Sequence, residues 1–187
     1  RPAREELPFA MRDDVARIDC TFSSLGFPPP HAEEVSPKEI TEALRNALAR
    51  ICAEAEQAVQ FYKRSHVVLS DEAQGPDRIA CPMILAVSAV HSHLVAKGLR
   101  TYCSLTVRAA ECLDPHYAAV LIGCGATTVN PYLALDSIAD RAARGLAGKL
   151  TPEQAAGNYR AALEAGLLKI MSKMGISVIS SYRGGLN

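Results

Sequence analysis

Val67-Val68-Leu69 is an apolar run with no polar alternation, bracketed by His66 and Ser70. A strand of this kind buries both faces, and strands buried on both faces belong to parallel sheets with helices packed above and below. Neighbouring parallel strands cannot be joined by a tight hairpin, so each needs a long crossover, usually helical. The rest of the chain must therefore supply strands and amphipathic helices in alternation.

It does. Residues 16–22 place Ala16, Ile18 and Cys20 in alternation with Arg17, Asp19 and Thr21, which predicts a first strand. Gly26, the triple proline Pro28 to Pro30 and Pro37 make residues 23–37 a surface loop. Ser36 before Pro37 predicts a helix start, and residues 37–62 carry Ile40, Leu44, Ala47, Leu48 and Ile51 on an inner face, with Glu54 and Glu56 toward water. After the strand at 66–70 and an exit loop at 71–80, Pro82 opens a helix over 83–97. That helix is apolar over most of its circumference and ends at Gly98. Residues 101–107 and 127–129 read as the third and fourth strands, with a helix between them capped by Asp114 and Pro115. Residues 132–144 and 152–163 read as helices.

The closing stretch, residues 166–185, packs several signals together. Leu167, Ile170, Met171 and Met174 recur at helical spacing, Gly175 suits a left-handed helix end, and the β-branched run 176–179 reads as a fifth, buried strand. A polar loop follows, Ser180-Ser181-Tyr182-Arg183-Gly184-Gly185. Five strands with intervening helices predict an α/β fold: a mainly parallel open sheet of about five strands with flanking helices. The charged, proline-containing start reads as a linker or arm over residues 1–15, leaving one domain over 16–187.

Charge excludes some functions. Twenty basic residues balance twenty acidic ones without a basic run, so neither nucleic acid nor an anionic membrane is an expected partner. The start has no signal-peptide pattern and no apolar run reaches the ~20 residues that cross a bilayer, which sets a cytoplasmic expectation. Six cysteines stand without any C-x-x-C pair, the reverse of a zinc site or a ferredoxin-type cluster loop. His91 and His93, two apart on a helix, point about 200° from one another and cannot share one ion, so one is expected buried and the other exposed.

In parallel α/β domains chemistry gathers where strands end. Those ends here offer Ser70, Asp71, Arg108, Asn130, Ser180, Ser181, Tyr182, Arg183, Gly184 and Gly185 as a candidate polar site or domain interface, and Arg108, Arg183 and the Gly184-Gly185 amides could be drawn as an anion pocket. The plain alternative is polar residues where loops must be polar. No catalytic residue and no metal ligand is assigned, and no phosphate-cradling glycine motif is present.

Several strings carry a family resemblance: VVLSD at 67–71, AVHSHL at 89–94, KGLRT at 97–101, LIGCGATTVNPYLAL at 121–135, LTPEQAAGNYRAALEAG at 150–166, then KIMSKMGIS and SSYRGG. In this order and spacing they resemble the central domain of the glutamate synthase large chain, over about residues 17–187. The resemblance implies an α/β domain of barrel-like topology lying between a glutaminase domain and an FMN-binding domain, its partners in the same large chain. It also implies a place in glutamate biosynthesis and ammonia assimilation, within an oxidoreductase that makes two glutamates from glutamine and 2-oxoglutarate. FMN and an iron–sulfur cluster are implied for the whole flavoenzyme, with none bound by this chain. The family's glutaminase nucleophile is an N-terminal cysteine, and Arg1-Pro2 stands here instead. Departures from the family pattern fall at Arg108-Ala109-Ala110, at Tyr117 and at Cys124.

Two functions follow as expectations. One is a structural, ammonia-path-lining connector, inactive and self-associating when isolated; the other is a free-standing module binding a small anion through Arg108, Asn130 and Arg183.

Overall fold

A computed structural model describes residues 12–24 and 36–184. The expected arm over residues 1–15 therefore lies largely outside the described residues, as do most of the proline-rich loop and Gly185.

Four strands form one parallel sheet: β1 (Val15–Asp19), β3 (His66–Ser70), β5 (Ser104–Arg108) and β6 (Thr128–Asn130), in the order β1-β3-β5-β6. The first predicted strand breaks at Cys20. Its amide donates to Ser70 O and its carbonyl accepts from Cys81 N, both at 2.8 Å. Beyond this crossing point Thr21–Ser23 forms β2, which pairs antiparallel with β4 (Arg78–Ala80). The loop expected at 71–80 thus contributes a strand of its own.

Crossovers are supplied by α1 (Pro37–Gln60), α2 (Met83–Ala96) and α3 (Pro115–Gly123). Helix α1 starts where its cap residues dictate: the Ser36 hydroxyl and the Glu39 carboxylate satisfy each other's backbone amides, a capping box. Asp114 caps α3 by accepting from the amides of His116 and Tyr117. Helix α2 buries Met83, Ala86, Val87, Val90 and Leu94 against Val67, Leu69, Leu105 and Val107 of the sheet, and Ile51, Ala55 and Val59 of α1 close the same core. Two positions on α1 depart from expectation, Ile40 from the inner face and Glu56 from the wet one. Ile40 is 46% exposed, one turn short of the core. Glu56 is turned inward, accepting from His93 Nε2 at 2.6 Å and pairing with Lys97 at 3.2 Å, so it bridges α1 to α2.

The final third departs most from expectation. After α4 (Tyr132–Ala143), a single helix α5 (Pro152–Lys173) replaces the two helices expected between 152 and 174, running through both Gly157 and Gly166. Gly166 is there for packing: a Cβ on it would fall 2.5 Å from the ring of Pro115, so the glycine lets α5 approach α3. Gly175, at φ +71, ends the helix region as anticipated. The fifth strand does not form. Ile176 N donates to Met171 O at 2.9 Å, Val178 is 54% exposed, and residues Ile179–Tyr182 turn into a short helix, α6. The stripe on α5 is narrower than predicted, with Met171 buried and Met174 exposed. Met171 joins Ala119, Ile122 and Tyr182 in a second, smaller core.

Candidate functional site

Parallel register sets the candidate residues in a row. Asp19 pairs with Ser70, Ser70 with Arg108 and Arg108 with Asn130, so the last residues of all four strands lie abreast at the carboxyl end of the sheet. The next two residues after β3 organise what happens there. Glu72 accepts from Ser70 Oγ at 2.8 Å and receives the Arg108 guanidinium on both oxygens, at 2.8 and 2.5 Å; Arg17 stands 3.4 Å away. Its carboxyl is pulled down to about 2, chiefly by the hydrogen bond from Arg108, and Arg108 is pushed up in return. The same guanidinium lies 5.4 Å from the ring centre of Tyr132, a cation–π distance.

Asp71 is fully buried and takes the amide of Ala110 at 2.9 Å. Burial raises its pKa, opposed by the Ala110 amide and by a hydrogen bond from Tyr132. It thus pins the loop after β5 to the end of β3. Asn130 closes the row: its carbonyl accepts from Ala109 N at 3.2 Å, while its side-chain Oδ1 is buried without a hydrogen bond among the described residues. Beneath it lies a mainly apolar cavity of 460 Å³ between β6, α3 and α5, lined by Ile122, Val129, Leu135 and Leu163 with Arg160 and Glu164.

The remaining candidates lie elsewhere. Arg183 donates from Nε to Ala126 O at 3.1 Å and Gly184 N donates to Gly123 O at 2.8 Å, which docks α6 beside the start of β6. Ser180 and Arg183 share a cleft with His66 and Ser104, the first residues of β3 and β5. Ser181 is exposed there and Tyr182 is buried in the small core. Arg183 therefore sits at the amino end of the sheet and Arg108 at the carboxyl end, and the pocket drawn from Arg108, Asn130 and Arg183 does not assemble.

Neither histidine of α2 is free. His91 is half-buried and accepts from Arg100 Nε at 3.1 Å, and His93 is half-buried against Glu56. Among the described residues no three His, Cys, Asp or Glu side chains are grouped to hold a metal. None of the six cysteines is in a disulfide, and burial pushes Cys20 up to about 12 and Cys81 and Cys112 up to about 11, far from the thiolate a nucleophile needs. Sequence reasoning passed over Glu72, Tyr132 and Arg100. Glu72 could have been found as the acid next to a strand end; Arg100, in a short 3₁₀ turn (Arg100–Tyr102), had no local signal.

The chain matches the family described as glutamate synthase central domain over residues 6–187. It is 56% identical over 177 residues to the glutamate synthase [NADPH] large chain of Azospirillum brasilense, covering 95% of this chain and 11% of that one. Against ferredoxin-dependent glutamate synthase 2, chloroplastic, of Arabidopsis thaliana the identity is 41% over 156 residues, 78% of this chain and 10% of that one. The glutamate synthase [NADPH] large chain of Bacillus subtilis is 39% identical over 144 residues, 77% and 9%. The chain thus spans about a tenth of the length of the curated relatives it matches. It belongs to the glutamate synthase central-domain family.

Proposed function

We propose that this domain is the connector of a glutamate synthase: it holds the glutaminase and FMN-binding parts of a large chain together in the cytoplasm, lines part of the ammonia path between them, and contributes no catalytic group. The observation that carries this reading is the internal pairing of charge at the carboxyl end of the sheet. In α/β domains that end binds ligands; here Glu72 and Arg108 neutralise each other and Asp71 is spent on the Ala110 amide. The short span relative to the large chains supports a part that works within a larger enzyme. FMN and the iron–sulfur cluster belong to the neighbouring domain in this reading, and the six dispersed thiols fit no cluster set. Among the described residues no helix is long and apolar enough to cross a membrane.

The test uses a full-length large chain carrying this segment. Arg108→Ala should leave glutamate formation within a few-fold of the parent. Loss of ~100-fold or more with the fold intact, the size of effect that removing an acid–base or charge-stabilising group produces, would place chemistry at this end. The ratio of glutamate formed to glutamine consumed reports the ammonia path, and falls when the path leaks.

A further inference from the structure

At the amino end of the sheet, β3 and β5 begin at the floor of a 600 Å³ cleft whose walls carry Arg100, Arg183 and His91 with the hydroxyl residues Thr101, Ser104 and Ser180. Arg100 is half-buried and its fork is spent on neutral acceptors: His91 Nδ1 at 3.1 Å, Cys103 O at 2.7 Å and Gly125 O at 2.8 Å. Its charge is therefore held in place without being cancelled. Arg183 is anchored through Nε alone, and its two terminal nitrogens make no hydrogen bond among the described residues. No acidic side chain is among the described residues lining the cleft; the nearby Asp14 is engaged by Arg12, Ser65 and His66.

Two guanidinium groups beside one imidazole repel, and burial sharpens that repulsion. Burial first, and then the charges of both arginines, hold His91 below its ordinary pKa, so the ring accepts from Arg100 rather than adding a third charge. The ring is closely flanked: a Cβ on Gly125 would fall 2.3 Å from it, and one on Gly184, in the turn after α6, would fall 3.5 Å from its Nε2. A half-desolvated cationic cleft with a free guanidinium fork and nearby hydroxyls has the complement of a small oxyanion.

We propose that the cleft between Arg100 and Arg183 binds a free small oxyanion, a carboxylate or phosphate, gripped by the terminal nitrogens of Arg183 with the hydroxyls of Ser180 and Thr101. Arg100 supplies fixed positive potential behind it. The bound anion ties α6 and Arg183 to the turn before β5, so occupancy fastens the last described segment onto the sheet.

Succinate and inorganic phosphate, each titrated at ionic strength held constant with chloride, test this by NMR of the histidine rings and by calorimetry. At least one should bind saturably with a Kd in the ~millimolar range or tighter and move the His91 titration to higher pH. Arg183→Gln should weaken binding about tenfold or more, one lost charge-assisted contact, while Arg144→Gln, just past the end of α4, leaves it unchanged. Because Arg183 also holds Ala126 O, the melting curve of Arg183→Gln without anion is recorded, and Ser180→Ala serves as a milder second variant, expected to weaken binding several-fold. Absence of saturation with both probes, or parental binding in both variants, overturns the proposal. Binding by this chain that vanishes in a full-length large chain also overturns it, in favour of a carboxylate supplied from elsewhere in that chain.

Discussion

Arg108 and Glu72 meet fork to fork across the carboxyl end of the sheet, Nε to Oε2 at 2.8 Å and the terminal nitrogen to Oε1 at 2.5 Å, with neither residue fully in water. The pair joins the loop after β3 to the end of β5. Glu72→Gln should cost about 1 kcal/mol, as a partly exposed but bidentate pair does. Because the folded carboxyl is depressed to about 2 from an ordinary 4.5, the contribution is complete above the unfolded value and disappears as pH falls through the folded one. Melting curves of parent and variant should therefore differ at neutral pH and converge between those two values. A difference that persists unchanged in strong acid contradicts the ion pair as its source.

Met171→Asp should abolish cooperative folding of the α3–α5–α6 unit. The side chain is 3% exposed among Ala119, Ile122 and Tyr182, and a charge there costs several kcal/mol against a total of ~5–15. Lys169→Ala, on the exposed side of the same helix, should change stability by less than ~0.5 kcal/mol. Chemical denaturation separates the two.

Gly125→Ala is expected to be far worse than Gly145→Ala. Both have positive φ, which costs a side chain roughly 1–2 kcal/mol. At Gly145 a Cβ meets open space, whereas at Gly125 it would lie 2.3 Å from the His91 ring. Equal losses of melting temperature in the two variants would show that the ring is free to move.

Thiol labelling should be slow in the native chain. Cys20, Cys81 and Cys112 are buried with raised pKa values, and Cys52 and Cys124, only half-buried, should react first with a small alkylating reagent near neutral pH. All six should label at once on unfolding. Rapid modification of Cys20 in the folded chain would contradict the closed core at the β1–β2 crossing.

The isolated chain should self-associate. Phe61, Tyr62 and Tyr102 are 66–71% exposed, on the segments that lead into β3 and β5. Leu168 on α5 is 64% exposed, and β1 and β6 leave sheet edges. Sedimentation of a concentrated sample as a sharp monomer would show that these side chains need no cover.

What the sequence determined by itself is local or repeated. Helix starts were legible at Ser36-Pro37 and Asp114-Pro115, because a cap needs only its own next three residues. The unalternating Val67-Val68-Leu69 announced a parallel sheet because burial on both faces leaves no place for polar residues. The long strings from VVLSD to SSYRGG carried the family. Tertiary structure alone decided what depends on neighbours distant in sequence. Residues 176–179 have strand composition, but a strand exists only where another offers it a ladder; the turn after α5 instead delivers them to the side of α3, where Tyr182 fills the small core. Gly166 resembles a helix end until the Pro115 ring against it is seen. Arg108 and Arg183 look alike as strand-end arginines, yet with the last strand absent α6 docks beside the start of β6, and the two charges part to opposite ends of the sheet. Direction of chain return, not residue type, made one arginine half of an ion pair and left the other facing an open cleft.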